Sequence, residues 1–246
     1  MSYITAIGTA NPAHRFKQTQ IADFMVRAMQ LNKEESRKLR AIFKASGIDY
    51  RYSVLGDYGL ESDYTFYADT TDLQPFPSTA DRLRIFCKEA VDLSTAAVGN
   101  LSRKFPEFKP GEITHLITVS CTGMYAPGLD IDLVKRLNLP TSVQRTGINF
   151  MGCYAAFNAL KAADAFCRVD KSTKVLIVCV ELCSLHFQRE PTEDNLIANA
   201  LFSDGAAALL VEAETNAPLR LRPESFCSDL AIDGERDMAW VIGNQG

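Results

Sequence analysis

The sequence predicts an α/β fold built on a mainly parallel β-sheet. Between residues 116 and 211, short runs rich in Val, Ile and Leu alternate with longer segments whose apolar residues recur at helical spacing. Runs this apolar are typical of strands buried on both faces, as in a parallel sheet covered by helices. With 246 residues, the chain is long enough to bury a full core.

The first hundred residues predict four regular elements and one irregular stretch. Asn32 is a typical helix N-cap, and Gly47 is typical of the residue that follows a helix. Residues 56–77 are aromatic, acidic and proline-containing without a clean period, so we expect a long excursion there. The four elements are a strand over 4–8, a helix over 21–29, a helix from Asn32 to Gly47, and a long helix from Ser78 or Thr79 to Val98.

The remainder of the chain predicts the regular alternation itself. The predicted strands cover 116–120, 143–148, 175–180 and 206–211, and the predicted helices cover 129–137 and 154–167. The second of these helices is so rich in alanine that it can be buried between two layers. After a break at 215–218, residues 219–226 predict the first strand of a new unit. We therefore expect one domain over residues 1–214 and the start of another over 215–246.

Composition excludes several classes of function. The formal net charge is -4, from 26 basic and 30 acidic residues that are well mixed, so there is no basic stripe of the kind that binds nucleic acid. No apolar run approaches the roughly 20 residues that span a bilayer. The N-terminus lacks the basic and apolar regions of a signal peptide. We expect no nucleic-acid partner, no membrane insertion and a cytoplasmic location.

The cysteines indicate reduced thiols rather than disulfides or a metal site. There are seven, an odd number, and they are scattered mostly within apolar segments. Cys179 and Cys183 are four residues apart with only His186 nearby, and no second pair completes a tetrahedral site. We expect no metal and no cofactor.

Cys153 is the candidate nucleophile. It lies in the segment Gly147–Ala156, where an extended run breaks at Gly152 and places the thiol at the start of a helix. The unpaired N–H groups and the macrodipole of a helix N-terminus favour an anion such as a thiolate. The alternative is that Cys153 is a small buried hydrophobe, as free cysteines often are.

Several short segments carry a more specific pattern through their order and separation. They are Ala6–Pro12, Ile113–Leu116, Cys121–Gly123, Pro127–Asp130, Gly152–Cys153 and Leu201–Ala208. Together they resemble the type III polyketide synthases, the chalcone synthase-like branch of the thiolase superfamily. The resemblance runs across nearly the whole chain. It implies a thiolase-like layered α/β/α fold with a mainly parallel mixed sheet, of which this chain is the N-terminal half and the second half is almost entirely absent.

The resemblance also implies an activity. Cys153 would take an acyl group from a coenzyme A thioester, and the enolate formed by decarboxylation of malonyl-CoA would then attack the bound thioester. Coenzyme A thioesters are the expected partners, and the full-length form is expected to be a homodimer.

Residues of the substrate cavity are implied in the same way. Phe202 aligns with the phenylalanine that gates the family's cavity and helps to orient the malonyl unit. Glu181, Cys183 and His186 fall where the family lines its cavity. Cys183 and His186 replace hydroxyl-bearing residues of the plant enzymes, so we expect a starter other than the plant one.

Other positions depart from the family pattern. Of the basic residues that meet the coenzyme A phosphates, only Lys38 falls in register. Ala126 occupies the place from which a methionine often crosses the dimer interface. The family's catalytic histidine and asparagine belong to the second half, and His14, His115 and His186 match other positions. We therefore expect His14 and His115 to be structural or solvated, and the 246-residue chain to lack condensation activity.

Two alternatives stay open from the sequence. A ketoacyl synthase III-like condensing enzyme shares the fold and the cysteine but usually accepts an acyl carrier protein, and no dense basic patch for docking one is visible. The chain could also be a non-catalytic half-fold that pairs with another subunit, against which the retention of Cys153 argues.

Overall fold

A computed structural model of the chain describes residues 1–234 and 239–245. The chain forms two compact units, each of them discontinuous in sequence. The sheet unit comprises Met1–Ala10, Cys87–Glu181 and Gly205–Leu230, and the helical unit comprises Asn11–Phe86, Leu182–Asp204 and Ala231–Gly246. The predicted division into residues 1–214 and 215–246 stays a prediction.

The secondary structure alternates between strands and helices, as the sequence predicted. The strands are β1 Tyr3–Ala10, β2 His14–Lys17, β3 Tyr50–Ser53, β4 His115–Ser120, β5 Gln144–Asn149, β6 Lys174–Leu182 and β7 Asp204–Glu212. The α-helices are α1 Gln18–Ala28, α2 Lys33–Ala45, α3 Thr79–Lys104, α4 Leu129–Arg136, α5 Ala155–Val169 and α6 Glu193–Leu201.

A five-stranded mixed sheet forms the centre of the sheet unit. Its strand order is β1-β7-β6-β4-β5. β4 pairs in parallel with both β5 and β6, whereas β1 pairs antiparallel with β7. The prediction of an α/β fold with a mainly parallel mixed sheet is confirmed.

The alanine-rich helix α5 packs one face on this sheet. Ala155, Ala159 and Ala163 are fully buried in a cluster with strand residues such as Ile117 and Ile177. Small side chains allow the helix backbone to approach the strands closely. On the opposite face of α5, Phe157 is 57% exposed, which shows that no second layer covers it within the described residues.

The helical unit shows the predicted cap and excursion. The Asn32 side chain accepts hydrogen bonds from the N–H groups of Glu34 and Glu35 at 2.9 and 3.1 Å, and α2 ends before Gly47, whose φ is 68°. In the aromatic excursion, Asp57 is fully buried and accepts backbone hydrogen bonds from Thr65, Phe66 and Tyr67. This buried carboxylate orders a stretch that has only one short 3-10 turn, Asp57–Gly59.

The predicted strand over residues 219–226 is wrong. Only a single antiparallel bridge forms there, between Leu221 and Ile4, and the rest of the stretch is irregular. Pro223 has no N–H group to donate to a ladder, which is one physical reason why pairing stops beyond Leu221.

Three elements were not predicted. The short strands β2 and β3 pair antiparallel in the helical unit. The third element, α6, is capped by Thr192, whose hydroxyl accepts a hydrogen bond from the Asn195 N–H at 3.2 Å. Among the helices formed by residues 1–234 and 239–245, none has the combination of length and apolar character needed to cross a membrane.

Candidate active site

The carboxyl ends of three strands meet at one edge of the five-stranded sheet. Ser120, at the end of β4, pairs with Asn149 at the end of β5. On the other side of β4, Val119 pairs with Cys179 of β6. Ligands of open α/β sheets bind preferentially outside the carboxyl ends of the strands. The residues at and just beyond these strand ends that belong to the sheet unit therefore form its candidate site.

The turn between β5 and α5 carries Cys153. Phe150 and Gly152 both adopt left-handed backbone conformations, with φ of 57° and 61°. Two such residues within three positions turn the chain sharply away from β5, and the single 3-10 turn Gly152–Tyr154 then leads into α5. The structure thus places Cys153 immediately before a helix, as predicted, and the thiol is exposed rather than buried.

The start of α5 is suited to an anion. The residue at its N-cap position, Tyr154, makes no side-chain capping hydrogen bond. The first N–H groups of a helix have no partner within the helix, and the macrodipole places partial positive charge there. The Ala155 N–H bonds to the Gly152 carbonyl within the 3-10 turn, so the later N–H groups of the first turn are the ones left for an anion there.

Glu181, at the end of β6, lies under the loop that follows β4. Its carboxylate accepts the backbone N–H of Cys121 at 2.9 and 3.1 Å and the hydroxyl of Thr122 at 2.7 Å. Burial raises the pKa of Glu181, and the hydrogen bond from Thr122 opposes that shift. Glu181 thus joins the ends of β4 and β6 and carries a proton more readily than an exposed glutamate.

Cys121 was not among the predicted site residues, yet it links this loop to the Cys153 turn. The backbone N–H groups of Gly152, Met151 and Phe150 face its sulfur and act to lower the pKa of this thiol. Burial, with the nearby charge of Glu181, nevertheless raises the pKa of Cys121, so this thiol stays protonated. In the sequence, only the position of Cys121 directly after the buried strand β4 indicates a place near the site.

Ala126 lies in the loop between β4 and α4, in the same unit as Cys153. It is exposed, and it precedes Pro127 and the start of α4. Its predicted role at a dimer interface stays a prediction.

The predicted residues of the helical unit lie around the end of α6. Phe202 directly follows that helix and is 37% exposed. Its backbone oxygen accepts a hydrogen bond from the buried Arg51 guanidinium at 2.7 Å, and Arg51 also donates to Gln18 at 2.7 Å. Burial lowers the pKa of Arg51 to about 10. A buried arginine, which the sequence pattern did not indicate, therefore fixes the backbone of Phe202.

Cys183 and His186 bound a single 3-10 turn, and both are half-buried. The turn is held by Asp204, whose carboxylate accepts both the N–H and the hydroxyl of Ser184 and the N–H of Val54 at 2.6 to 2.7 Å. Burial raises the pKa of Asp204 to about 6. In the sequence, Asp204 belongs only to the turn motif Leu201–Ala208, whereas in the structure its carboxylate orders the segments that contain Val54 and Ser184.

Lys38 lies on the exposed face of α2. Its ammonium is 3.7 Å from the carboxylate of Glu193, and both side chains are mostly exposed. Exposed ion pairs of this kind contribute little to stability, so Lys38 is available for an anionic ligand.

The two histidines expected to be structural or solvated are so. His115 is half-buried, stacks on Phe166 with 4.6 Å between ring centroids, and has its pKa lowered by burial. His14 is exposed and stacks on Phe16.

All seven cysteines are free thiols. Within the part of the chain that the structure describes, no group of three or more His, Cys, Asp or Glu side chains is arranged to hold a metal ion.

The sequence matches one family of known proteins. Residues 1–215 match the N-terminal domain of the chalcone and stilbene synthases. Over 250 residues the chain is 30% identical to the alpha-pyrone synthesis polyketide synthase-like Pks18 of Mycobacterium tuberculosis, covering all of this chain and 61% of that protein. It is also 29% identical over 247 residues to the probable polyketide synthase 1 of Dictyostelium discoideum, of which it spans 8%.

Solved structures give the same result for the fold. The C-terminal type III polyketide synthase domain of Steely1, from Dictyostelium, superposes with a TM-score of 0.79 at 27% identity, covering 88% of this chain and 58% of that one. PKS-I from the brown alga Ectocarpus siliculosus superposes with a TM-score of 0.79 at 29% identity, covering 92% and 58% of the two chains. The chain thus spans less than two thirds of the length of each of these relatives.

Proposed function

This chain belongs to the chalcone and stilbene synthase family, whose N-terminal domain it carries, and on that basis we propose that Cys153 accepts an acyl group from a coenzyme A thioester. The expected likeness to the type III polyketide synthases and their thiolase-like fold is confirmed by the superpositions. The observation that carries the proposal is the exposed Cys153 in a left-handed turn directly before α5.

The loading step follows from the chemistry of a thiolate. The Cys153 sulfur attacks the thioester carbonyl, and the carbonyl π electrons move to oxygen to give a tetrahedral oxyanion. When the carbonyl re-forms, the bond to the coenzyme A sulfur breaks and coenzyme A leaves as its thiolate, which takes up a proton. The acyl group is then bound to Cys153 as a new thioester. Both the attacking thiolate and the oxyanion gain from the positive end of α5.

Condensation is the second part of the proposal. Malonyl-CoA loses carbon dioxide, and the electron pair of the broken carbon–carbon bond forms an enolate. The enolate carbon attacks the Cys153 thioester, the carbon–sulfur bond breaks, and the acyl chain, longer by two carbons, leaves on coenzyme A. We propose this acyltransferase chemistry, of the polyketide synthase type, for a protein that also carries the family's histidine and asparagine, because the 246 residues alone are expected to lack condensation activity.

The remaining site residues enter with the roles that the family resemblance implies. Phe202 gates the cavity and orients the malonyl unit, and Glu181, Cys183 and His186 line it. Two features of the structure support this assignment: Arg51 fixes the Phe202 backbone, and Asp204 orders the turn that contains Cys183 and His186. Lys38 contacts the coenzyme A phosphates, and Ala126 lies at the interface of a cytoplasmic homodimer.

Intact-mass spectrometry tests the loading step. The full chain is incubated with a panel of aromatic and fatty acyl-CoA thioesters, and Cys153→Ala and Cys227→Ala are treated in parallel. Cys227 is the matched control because it is the other exposed cysteine of the seven. We expect one acyl adduct on the wild type and on Cys227→Ala, and none on Cys153→Ala.

Two results would overturn the proposal. One is an adduct that persists in Cys153→Ala, since the acyl group would then be on another residue. The other is a folded wild-type sample that forms no adduct with any thioester. The mass of the adduct also identifies the class of starter.

A further inference from the structure

The turn Cys183–His186 has two of its backbone carbonyls bound by buried side chains. The Tyr58 hydroxyl donates a hydrogen bond to the Ser184 carbonyl oxygen at 2.9 Å. The Arg82 guanidinium donates through Nη1 to the Leu185 carbonyl oxygen. All of these residues belong to the helical unit. The inner carbonyls of the turn are therefore fixed by residues that lie 126 and 103 positions earlier in the chain.

Arg82 is itself held in a fixed orientation. It lies in the first turn of α3 and is fully buried. Its Nε donates to the Pro77 carbonyl oxygen at 3.2 Å, and its guanidinium carbon lies 5.1 Å from the centre of the Phe76 ring. A guanidinium is planar and presents its donors in a rigid fork, so these contacts also fix the direction of Nη1. The Leu185 carbonyl is thus bound by a donor with little freedom to move.

The charge of Arg82 costs free energy to bury. No ion pair among residues 1–234 and 239–245 includes Arg82, and within the same residues its Nη2 is buried without a hydrogen-bond partner. Burial lowers the pKa of this guanidinium, because the charged form is the one that loses hydration. Buried charges contribute little to stability, and apolar replacements of similar volume are often tolerated. The geometry that Arg82 imposes on the Leu185 carbonyl explains its presence better than stability does.

The polar groups of Ser184 are bound as well. Its N–H and its hydroxyl donate to the Asp204 carboxylate at 2.7 and 2.6 Å, and its hydroxyl oxygen accepts a hydrogen bond from Ser53 at 2.8 Å. Cys183 directly precedes Ser184, and His186 directly follows Leu185. The directions of the Cys183 and His186 side chains therefore depend on how firmly the two residues between them are held.

We propose that Arg82 and Tyr58 are positioning residues that set the choice of starter, because they fix the turn that carries Cys183 and His186. This inference rests on the proposed function, in which those two side chains contact the acyl group. Neither Arg82 nor Tyr58 touches the substrate. A turn held at both inner carbonyls presents its side chains in one arrangement, which suits one class of acyl group. A turn released at Leu185 samples several arrangements and discriminates less between thioesters.

Hydrogen exchange on the full chain tests the hold on the turn without any acyl group. The Ser184 amide reports the turn, and the amide of Leu39, which is fully buried in α2, reports unfolding of the helical unit. Arg82→Met keeps the aliphatic stem and removes the donors. We expect the Ser184 amide to exchange about tenfold faster or more in this variant, because a hydrogen bond from a charged donor is lost. The Leu39 amide is expected to exchange as in the wild type.

The selectivity of acyl loading is the second readout. The rates at which benzoyl-CoA and lauroyl-CoA load Cys153 are measured by intact mass, and we expect their ratio to move toward one by about threefold or more in Arg82→Met. Arg82→Lys should recover part of the selectivity, because an ammonium can still donate to the Leu185 carbonyl. Arg84→Met is the matched control, since Arg84 lies on the same helix, is 75% exposed and pairs with Asp81 at 2.9 Å. It is expected to change neither readout.

The proposal is overturned if the Ser184 amide of folded Arg82→Met exchanges as slowly as in the wild type. It is also overturned by faster exchange with an unchanged loading ratio, since the turn would then take no part in the choice of starter. Should Arg82→Met not fold, Tyr58→Phe removes a single hydroxyl from the same turn, and unchanged readouts in that variant overturn the proposal. A wild type that loads no thioester overturns the proposed function and the link to starter choice, while exchange at Ser184 still decides whether Arg82 holds the turn.

Discussion

The Asp204 carboxylate accepts two hydrogen bonds from Ser184. The Ser184 N–H donates to one carboxylate oxygen at 2.7 Å, and the Ser184 hydroxyl donates to the other at 2.6 Å. Asp204 is 5% exposed, and it lies two residues after Phe202, at the start of β7. Ser184 adjoins Cys183, one of the proposed cavity residues. A single buried carboxylate therefore sets the geometry of two segments to which the resemblance assigns substrate contacts.

The pH dependence of stability should report Asp204. Its folded-state pKa of about 6 lies above the ordinary 3.8, so the carboxyl favours folding when it is protonated. The stability contributed by Asp204 is therefore greatest below pH 4 and declines as the pH rises toward 6. We expect the free energy of unfolding of the wild type, relative to Asp204→Asn, to fall by roughly 2 kcal/mol between pH 4 and pH 7.

Urea unfolding of both proteins at several pH values measures this difference. Asp204→Asn is the suitable reference because it has nearly the same shape and does not titrate. It also turns an NH₂ group toward the donors of Val54 or Ser184, so it is expected to be less stable throughout. A difference between the two proteins that does not change with pH would contradict the prediction.

Glu181 should control the stability of the loop after β4. Glu181→Ala removes the acceptor of the Cys121 N–H and of the Thr122 hydroxyl. A partly buried donor left without a partner costs about 1 kcal/mol or more, so we expect that loss in unfolding free energy and faster hydrogen exchange at the Cys121 amide.

Glu214→Ala is the control for this change, because Glu214 forms only an exposed ion pair with Lys171 at 3.4 Å. It is expected to leave both stability and exchange at Cys121 unchanged. Exchange at Cys121 that is equally slow in Glu181→Ala would show that the loop is held by other contacts.

The strands of the parallel sheet could be predicted because their apolar residues decide the outcome. β4 and β6 bury nearly every side chain, so composition was sufficient to identify them. β2 and β3 have four residues each with mixed burial, and no periodic signal exists over so short a length. The stretch 219–226 has apolar residues but only one paired position, although its partner β1 is an edge strand, because Pro223 has no N–H group to extend the pairing.

The candidate site was only partly predictable for a different reason. Gly152 and the helix after it are local signals, and they located Cys153. The contact between Cys121 and Glu181 joins residues 60 positions apart, and that between Val54 and Asp204 joins residues 150 apart. Such pairs follow from strand order and from the path of long connections, which neither composition nor spacing encodes.

Gly8 should be intolerant of any side chain. A Cβ at this position of β1 would lie 2.3 Å from the Ala97 carbonyl oxygen and 2.3 Å from the Leu101 nitrogen, both in the backbone of α3. Backbone atoms in a helix cannot move aside singly, so Gly8→Ala must separate β1 from α3. We expect a loss of about 3 kcal/mol or more in urea unfolding.

The control for Gly8 is Gly111→Ala, where a Cβ would meet nothing within 4 Å. That variant is expected to stay within about 0.5 kcal/mol of the wild type. Equal stabilities for the two variants would mean that β1 and α3 lie farther apart than the structure has them.

Gly152 connects backbone conformation to the chemistry of Cys153. Its φ is 61°, and a Cβ there would meet no atom within 4 Å, so the cost of a side chain is backbone strain alone. Gly152→Ala is expected to lose about 1 to 2 kcal/mol, and Gly152→Asn less, because asparagine tolerates the left-handed region better than alanine does. Each variant can relieve the strain by moving the Cys153 turn. The rate of acyl loading, measured by intact mass, should therefore be highest in the wild type, lower in Gly152→Asn and lowest in Gly152→Ala. Loading rates that are equal in all three proteins, despite the stability differences, would show that the left-handed turn at Gly152 does not position the thiol.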